Sequence, residues 1–306
     1  GLAVIVSYTA FALHPGALGD LMVICGAIFL FNLLTGSRQE TGKFSAPGKA
    51  NLGVATVPDH RLEQLRDLFR PKRYTPATVG YVDIPGIRKG EGQESLDLAQ
   101  LRTVDALLHV IRAFDDPEIP HPQGSVDPAR DAATIDLELI FADHEVVERR
   151  LARLEREAKR GLDAELKRQQ ELLADLVLPT LEAERPLREI ELKADDEKRL
   201  RGFQLLSAKP ILEVLNVDED RVADADPAAF GIAVGEHSRT LVVSAPIEEE
   251  ISRLAPEEQR EFLHDLGLAE PSLHRVARAS FELLGRIAFF TVGEGEVLGH
   301  GERDAR

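Results

Sequence analysis

The sequence predicts an α/β fold: a doubly wound, mostly parallel sheet with an inserted antiparallel helical hairpin. Two observations carry this. Strand-like runs alternate with amphipathic helices along most of the chain, and Ala106–Ile111 (ALLHVI) is the continuous apolar run expected of a central parallel strand covered on both faces. Between residues 131 and 207 the rhythm changes to two charged amphipathic helices separated by Gly161, and strands resume at Pro210–Val217. The helical pair is therefore read as an insertion in one α/β unit. That division gives a discontinuous domain over 1–130 and 208–286, a hairpin over 131–207, and a short C-terminal piece over 287–306.

With 306 residues, 43% hydrophobic and 29% charged, the chain can bury a real core. A net charge of −16 with no long Lys/Arg block argues against binding nucleic acid by global phosphate neutralisation, while leaving room for a local basic patch. One cysteine, Cys25, excludes an intramolecular disulfide framework and suits a reducing compartment. The nine histidines form no Cys/His cluster at zinc spacing, and no Gly-x-Ser-x-Gly elbow offers a serine nucleophile.

In chain order, Leu2–Val6 reads as a buried strand. Leu21–Leu34 (LMVICGAIFLFNLL) is almost wholly apolar but short of the roughly 20 residues a membrane span needs. It is read as a buried helix, with a membrane-associated segment as the alternative. Thr35–Leu52 is loop-like. Asp59 is an N-cap candidate for a helix whose face is Leu62, Leu65 and Leu68/Phe69, stopped by Pro71. A strand ending at Asp83 follows, then a Gly-rich loop and a helix over about Ser95–Val104. In the insertion, Leu137, Ile140, Val147, Leu151 and Leu154 recur at helical spacing, as do Leu166, Leu173, Val177 and Leu181. His144 falls on that apolar seam and reads as core. Strands at Pro210–Val217 and Leu241–Ser244, a helix over Pro271–Arg286 and a last strand at Ala288–Val292 complete the chain, with Gly293–Arg306 expected to trail off without a closing element.

Three strand ends carry polar signals: Asp83-Ile-Pro-Gly86, Asn216-Val-Asp-Glu219, and Ser244-Ala245. In a parallel α/β sheet such ends gather at the carboxyl edge, where ligands bind. Asp-x-x-Gly after a strand suits a carboxylate presented to Mg²⁺ and a backbone N–H near a terminal phosphate. An Asn amide both donates and accepts, which suits base recognition, and a Ser-Ala turn offers N–H groups to the base edge.

These motifs, with NLGVATVPDHRL (Asn51–Leu62), VDIPGIRKGEG (Val82–Gly92), HVIRAFDD (His109–Asp116), DLELIFADHEVVERRLARLE (Asp136–Glu155), NVDED (Asn216–Asp220) and ELLGRIAFFTVGEGEV (Glu282–Val297), make the sequence resemble the YchF-type (Obg-like) ATPases, a branch of the translation-factor GTPases. The resemblance runs from about Phe31 to about Val297. It implies a P-loop G domain, a helical hairpin insert and a C-terminal TGS domain, represented here by its first strand. It implies a cytoplasmic protein that hydrolyses the β–γ phosphoanhydride of ATP, less readily GTP, with Mg²⁺, and that has the ribosome as partner. Carried over by position, Asp83 sits by the metal and Gly86 by the γ-phosphate. Asn216, Val217, Glu219, Ser244 and Ala245 surround the base, and His121 is the candidate catalytic group where Ile87 replaces the water-orienting glutamine of other GTPases. A loop histidine at Pro120-His121-Pro122 is the other reading of His121.

The sequence also departs from the family. Gly26-Ala27-Ile28-Phe29 stands where Gly-Lys-Ser/Thr belongs, so the phosphate-binding lysine and the Mg²⁺-ligating hydroxyl are absent from that motif. No clear switch-I threonine is present, Ser45 being the nearest hydroxyl. Besides the nucleotide hydrolase, two further readings therefore stand: a non-catalytic ribosome or protein interaction module that keeps the fold, and a membrane-tethered variant.

Overall fold

The computed structural model describes residues 2–6, 30–36, 51–84, 98–117, 121, 123–159, 161, 163–232, 237–293 and 295–303. Five strands run parallel: β1 (Leu2–Val6), β4 (Thr78–Ile84), β5 (Ala106–Arg112), β6 (Ile211–Asn216) and β7 (Ser238–Val243). With β2 (Asn51–Thr56), antiparallel to β4, they form a six-stranded sheet of order β2-β4-β1-β5-β6-β7. The apolar runs that predicted central strands occupy its middle: β5 lies between β1 and β6, and every residue of β6 is buried. Side chains alternate between two covered faces, as the pleat requires. Leu108, Leu212, Val214 and Val243 pack with Leu30 and Phe31 of α1 (residues 30–35) and with Val276 and Phe281 of the helix Ser272–Leu283. On the other face, Leu107 and Ile211 meet Leu101, Ile135 and Leu139.

Residues 30–34, the described end of the long apolar run, lie in α1; Leu30 and Phe31 are buried in this core and Leu34 packs against it, as the buried-helix reading requires. Residues 21–29 of that run lie outside the described residues. α2 (His60–Phe69) begins at Asp59, whose side chain accepts from the Arg61 N–H. Its expected apolar face is shorter than the spacing implied: Leu62 is buried, while Leu68 and Phe69 are exposed. The helix rests its first turn on the body and points its last turn to solvent.

After α3 (Leu98–Thr103), the insertion opens with α4 (Pro128–Ala158), capped by Asp127, and turns through Gly161 at φ 91°. The return arm is α5 (Ala164–Leu172), a π-helical turn (Leu173–Val177) and α6 (Leu178–Glu182). Pro179 lacks an N–H and would crowd the preceding turn of an α-helix, and the widened π turn accommodates it. Val147, Leu154, Leu173, Val177 and Leu181 form the seam. His144 is not part of it: the ring is half-buried on the flank, 3.4 Å from Glu148 one turn on, and its neighbour Asp143 is the buried residue. α7 (Ala194–Leu200) leads back towards β6. Helices α8 (Ala245–Arg253), α9 (Pro256–Asp265) and α10 (Ser272–Leu283) follow β7.

The tail does close. β8 (Arg286–Gly293) and β9 (Glu296–Arg303) pair antiparallel across a tight turn whose Gly295 has φ 87°. β9 also pairs with β3 (Arg73–Thr75), giving a second sheet of order β3-β9-β8. Gly301 lets β9 lie against α10, because a Cβ there would stand 2.6 Å from the Phe281 ring.

Candidate nucleotide site

Parallel strands bring all five of their carboxyl ends to one edge of the sheet. In register, Asp83 pairs with Ile5 of β1, Arg112 ends β5 opposite Asn216, and Asn216 stands opposite Val243. Backbone bonds stitch the strand ends together: Ala113 N–H to the Asn216 carbonyl at 2.8 Å, and Val217 N–H to the Val243 carbonyl at 2.9 Å. The Asn216 side chain is buried, and its Oδ1 accepts from the Ala245 N–H at 3.0 Å. That bond satisfies one of the orphan donors at the start of α8, behind Ser244 at its N-cap. Ser244 itself is fully buried. Asn216, Val217, Ser244 and Ala245 are thus one bonded unit. With the carbonyl end of Asn216 committed, its NH₂ is the end left to donate. Glu219 starts a 3₁₀ turn just beyond and is exposed.

Asp83 lies at the other side of the edge, buried near the end of β4. Gly86 and Ile87 lie outside the described residues, as do Gly26–Phe29 and Ser45. His121 sits between β5 and α4. Its Nε2 is 3.1 Å from Asp131 Oδ2, and its Nδ1 accepts from the Gln123 N–H at 3.2 Å. Burial holds the imidazole below its ordinary pKa, Asp131 opposes that shift, and the guanidiniums of Arg130 and Arg112 reinforce it.

A cleft of about 210 Å³ lined by Leu33, Thr56, Glu248, Gln259 and His274 is a separate feature. Its Thr56 pairs with Thr78 at the start of β4, the end of that strand remote from Asp83.

No family model matches the chain. Individual relatives do. It is 40% identical over 282 residues to a ribosome-binding ATPase YchF of Bacillus subtilis, covering 89% of this chain and 76% of that protein. It is 37% identical over 279 residues to the Escherichia coli O157:H7 protein of the same name, with the same coverage. The chain belongs to the YchF family. The structure of the Schizosaccharomyces pombe YchF GTPase superposes with a TM-score of 0.77 at 27% identity, covering 98% of this chain and 80% of that one. A GTP-binding protein from Pyrococcus horikoshii, at 17% identity and a TM-score of 0.55, shares the fold. The P-loop G-domain architecture with its hairpin insert is that of the family.

Sequence reasoning passed over four polar residues, of which Arg112 and Asp131 stand at this edge. Arg112 is buried at the end of β5, donates from Nε to the Phe114 carbonyl at 3.0 Å and stacks on the Phe114 ring. Its signal was an arginine closing an apolar strand. Asp131 touches His121. Asp143 is buried beneath the hairpin. Glu248 accepts from the Ser272 N–H at 2.6 Å, capping α10 from α8, and burial raises its pKa. These last three read as solvent-facing helix carboxylates until the partner segments are in place.

Proposed function

We propose that this chain binds ATP, and less readily GTP, at the carboxyl edge of the six-stranded sheet, hydrolyses its β–γ phosphoanhydride, and works in the cytoplasm on the ribosome. The observation that carries the reading is the Asn216–Ala245 bond, which orients a buried carboxamide before any base arrives. Preorganisation of this kind reduces the ordering cost of binding. Asn216 then donates to a purine ring nitrogen, backbone groups of Val217 and Ala245 flank it with Ser244, and the exposed Glu219 meets the base edge. The relatives' printed name, ribosome-binding ATPase, supports both the nucleotide and the ribosome. The division into residues 1–130 with 208–286, the hairpin 131–207 and the C-terminal 287–306 belongs to the same reading.

Asp83 fits Mg²⁺ as a hard oxygen donor at a strand end. The described residues hold no group of three or more His, Cys, Asp or Glu side chains able to grip a metal, and Mg²⁺ needs none, since one carboxylate with waters and phosphate oxygens suffices. When bound, Mg²⁺ neutralises charge on the phosphates. Gly86 is assigned to the terminal phosphate, and His121 to a hydrogen bond from the attacking water. The water oxygen forms the new bond to the γ-phosphorus and passes a proton to His121, as the bond between that phosphorus and the β–γ bridging oxygen breaks and the bridging oxygen leaves with the diphosphate.

A second reading, binding without turnover, is favoured by Gly26–Phe29, where the phosphate lysine and the hydroxyl are missing. Among the described residues no helix is long and apolar enough to cross a membrane.

Titration of the protein with fluorescent ATP and GTP analogues, with and without Mg²⁺, tests the reading. Micromolar, Mg²⁺-dependent binding is expected. Asn216→Ala removes the base contact, which costs about 1–3 kcal/mol or roughly 5- to 150-fold in affinity, and orphans the Ala245 N–H, which lowers stability. Unchanged affinity in that variant overturns the site. Phosphate release under the same conditions separates turnover from binding alone.

A further inference from the structure

The His121 ring is fixed at both nitrogens. Nδ1 accepts from the Gln123 N–H, and an imidazole nitrogen that accepts from an N–H carries no proton. In the neutral ring the proton is therefore on Nε2, where it is donated to Asp131 Oδ2 at 3.1 Å. The carboxylate is itself held. It stands in the first turn of α4, just after the Asp127 cap and Pro128, and its Oδ1 accepts from Arg130 Nε at 3.1 Å and from the terminal nitrogen at 2.9 Å. The two side chains are only 11% and 13% exposed. Water therefore competes poorly for either partner.

We infer that Asp131 is the positioning residue of His121: it holds the tautomer in which Nδ1 carries the lone pair and steadies the imidazolium when Nδ1 takes up a proton. The inference rests on the proposed role of His121 in hydrolysis. Asp131 does here from the Nε2 side what the carboxylate of a hydrolase triad does from the Nδ1 side. The contact it must leave open is the weaker one: a single backbone N–H at 3.2 Å, in a turn where Gly124 N–H bonds the His121 carbonyl and Gly124 has φ 85°. Releasing that N–H exposes Nδ1 to a water without disturbing the Asp131 bond. The charges facing the ring are Asp131 and Arg130 from α4 and Arg112 from β5. Asp131 is the one group among them that favours the protonated ring against burial and two guanidiniums.

The test measures kcat and KM for nucleotide hydrolysis, the pH–rate profile, and the His121 tautomer by long-range ¹H–¹⁵N correlation, in the unaltered chain, His121→Ala, Asp131→Asn and Asp131→Ala. Asp131→Asn keeps the shape, so folding is preserved. Both Asp131 variants are expected to lower kcat by at least about 10-fold and up to the roughly 10⁴-fold seen on removing the orienting carboxylate of a hydrolase triad, with KM within about twofold. The acid limb of the profile moves to lower pH in both variants, and in Asp131→Ala, where the Gln123 N–H alone is left to hold the tautomer, the Nδ1–H form gains population. If His121→Ala hydrolyses normally, the reading of His121 fails. If His121→Ala is impaired while the Asp131 variants keep kcat, the profile and the Nε2–H tautomer, this inference fails and that reading stands. An unaltered chain that binds nucleotide without turning it over overturns both.

Discussion

Asp143→Ala is the substitution whose cost the structure specifies most closely. Asp143 is 0% exposed, and its carboxylate accepts from the Leu206 N–H at 2.8 Å, the Ser207 N–H at 2.7 Å and Ser207 Oγ at 2.8 Å, with an Arg102 guanidinium nitrogen at 3.4 Å. The bonds join the middle of α4 to the segment that re-enters the sheet at β6, and so close the base of the insertion. Alanine leaves two backbone N–H groups in a dry interior with no acceptor. At about 1–3 kcal/mol for each orphaned donor, and with the Arg102 charge losing its partner, the loss is about 3–5 kcal/mol. Urea unfolding followed by circular dichroism reads this as a fall in midpoint of at least about 1 M at an unchanged slope. Burial pushes the Asp143 carboxyl above its ordinary pKa. Its contribution is therefore complete below the unfolded pKa and declines as pH rises through the folded one, so the gap between wild type and variant is wider in acid than at neutrality. Amide exchange adds a local signature, early loss of protection at Leu206 and Ser207. A loss under about 1 kcal/mol with both amides still protected refutes the reasoning.

Two further outcomes are open to the same methods. Gly301→Ala drives a Cβ to 2.6 Å from the Phe281 ring, and the overpacking is expected to cost about 1–3 kcal/mol and to loosen β9 from α10, read as faster amide exchange along β8 and β9. Burial pulls the Lys209 ammonium from 10.5 down to about 8 while its Nζ donates to the carbonyls of Arg102 and Val104. The folded chain then holds fewer protons than the unfolded one between these values, so stability rises with pH across that window, and Lys209→Met flattens the rise.

The elements most legible in the sequence were those whose burial pattern is local. ALLHVI could only be covered on both faces, and β5 is. Asp59 and Gly161 carry their conformational consequences in a single side chain or in the lack of one, and both mark real ends. What misled was long-range docking. Leu68 and Phe69 continue the α2 stripe by spacing, yet the body ends before it reaches them. Glu-Gly-Glu after Gly293 reads as a polar loop because the partners that make residues 296–303 a strand, β3 and β8, include one more than 200 residues upstream. His144 and Asp143 exchanged roles for a related reason. The seam of a helix is fixed by spacing only to within a residue, and a carboxylate with two waiting N–H groups outcompetes an imidazole for the buried place. In the site, Asn216 and Ser244-Ala245 were readable because strand ends must meet. Asp131 was not, because its partner lies across a loop that no periodicity describes.

The polar row behind the site shows why the hairpin belongs mechanically to the sheet. His109, Glu213 and Thr240 stand in register on β5, β6 and β7, with His109 Nδ1 and Glu213 Oε2 2.7 Å apart but poorly aligned for a hydrogen bond. Above them, Asp136 of α4 is bound by Arg188, which arrives after the hairpin's return arm and also donates to Ser238 Oγ at 3.2 Å. Apolar contact alone would let α4 slide along Leu107 and Ile211 at little cost, because burial has no direction. A buried guanidinium does not allow this. A shift of one turn would take Asp136 from the buried Arg188, at several kcal/mol. The row therefore fixes α4 in a single register on β5 and β6, the strands that end in Arg112 and Asn216. The start of α4 that holds Asp131 against His121 inherits that register.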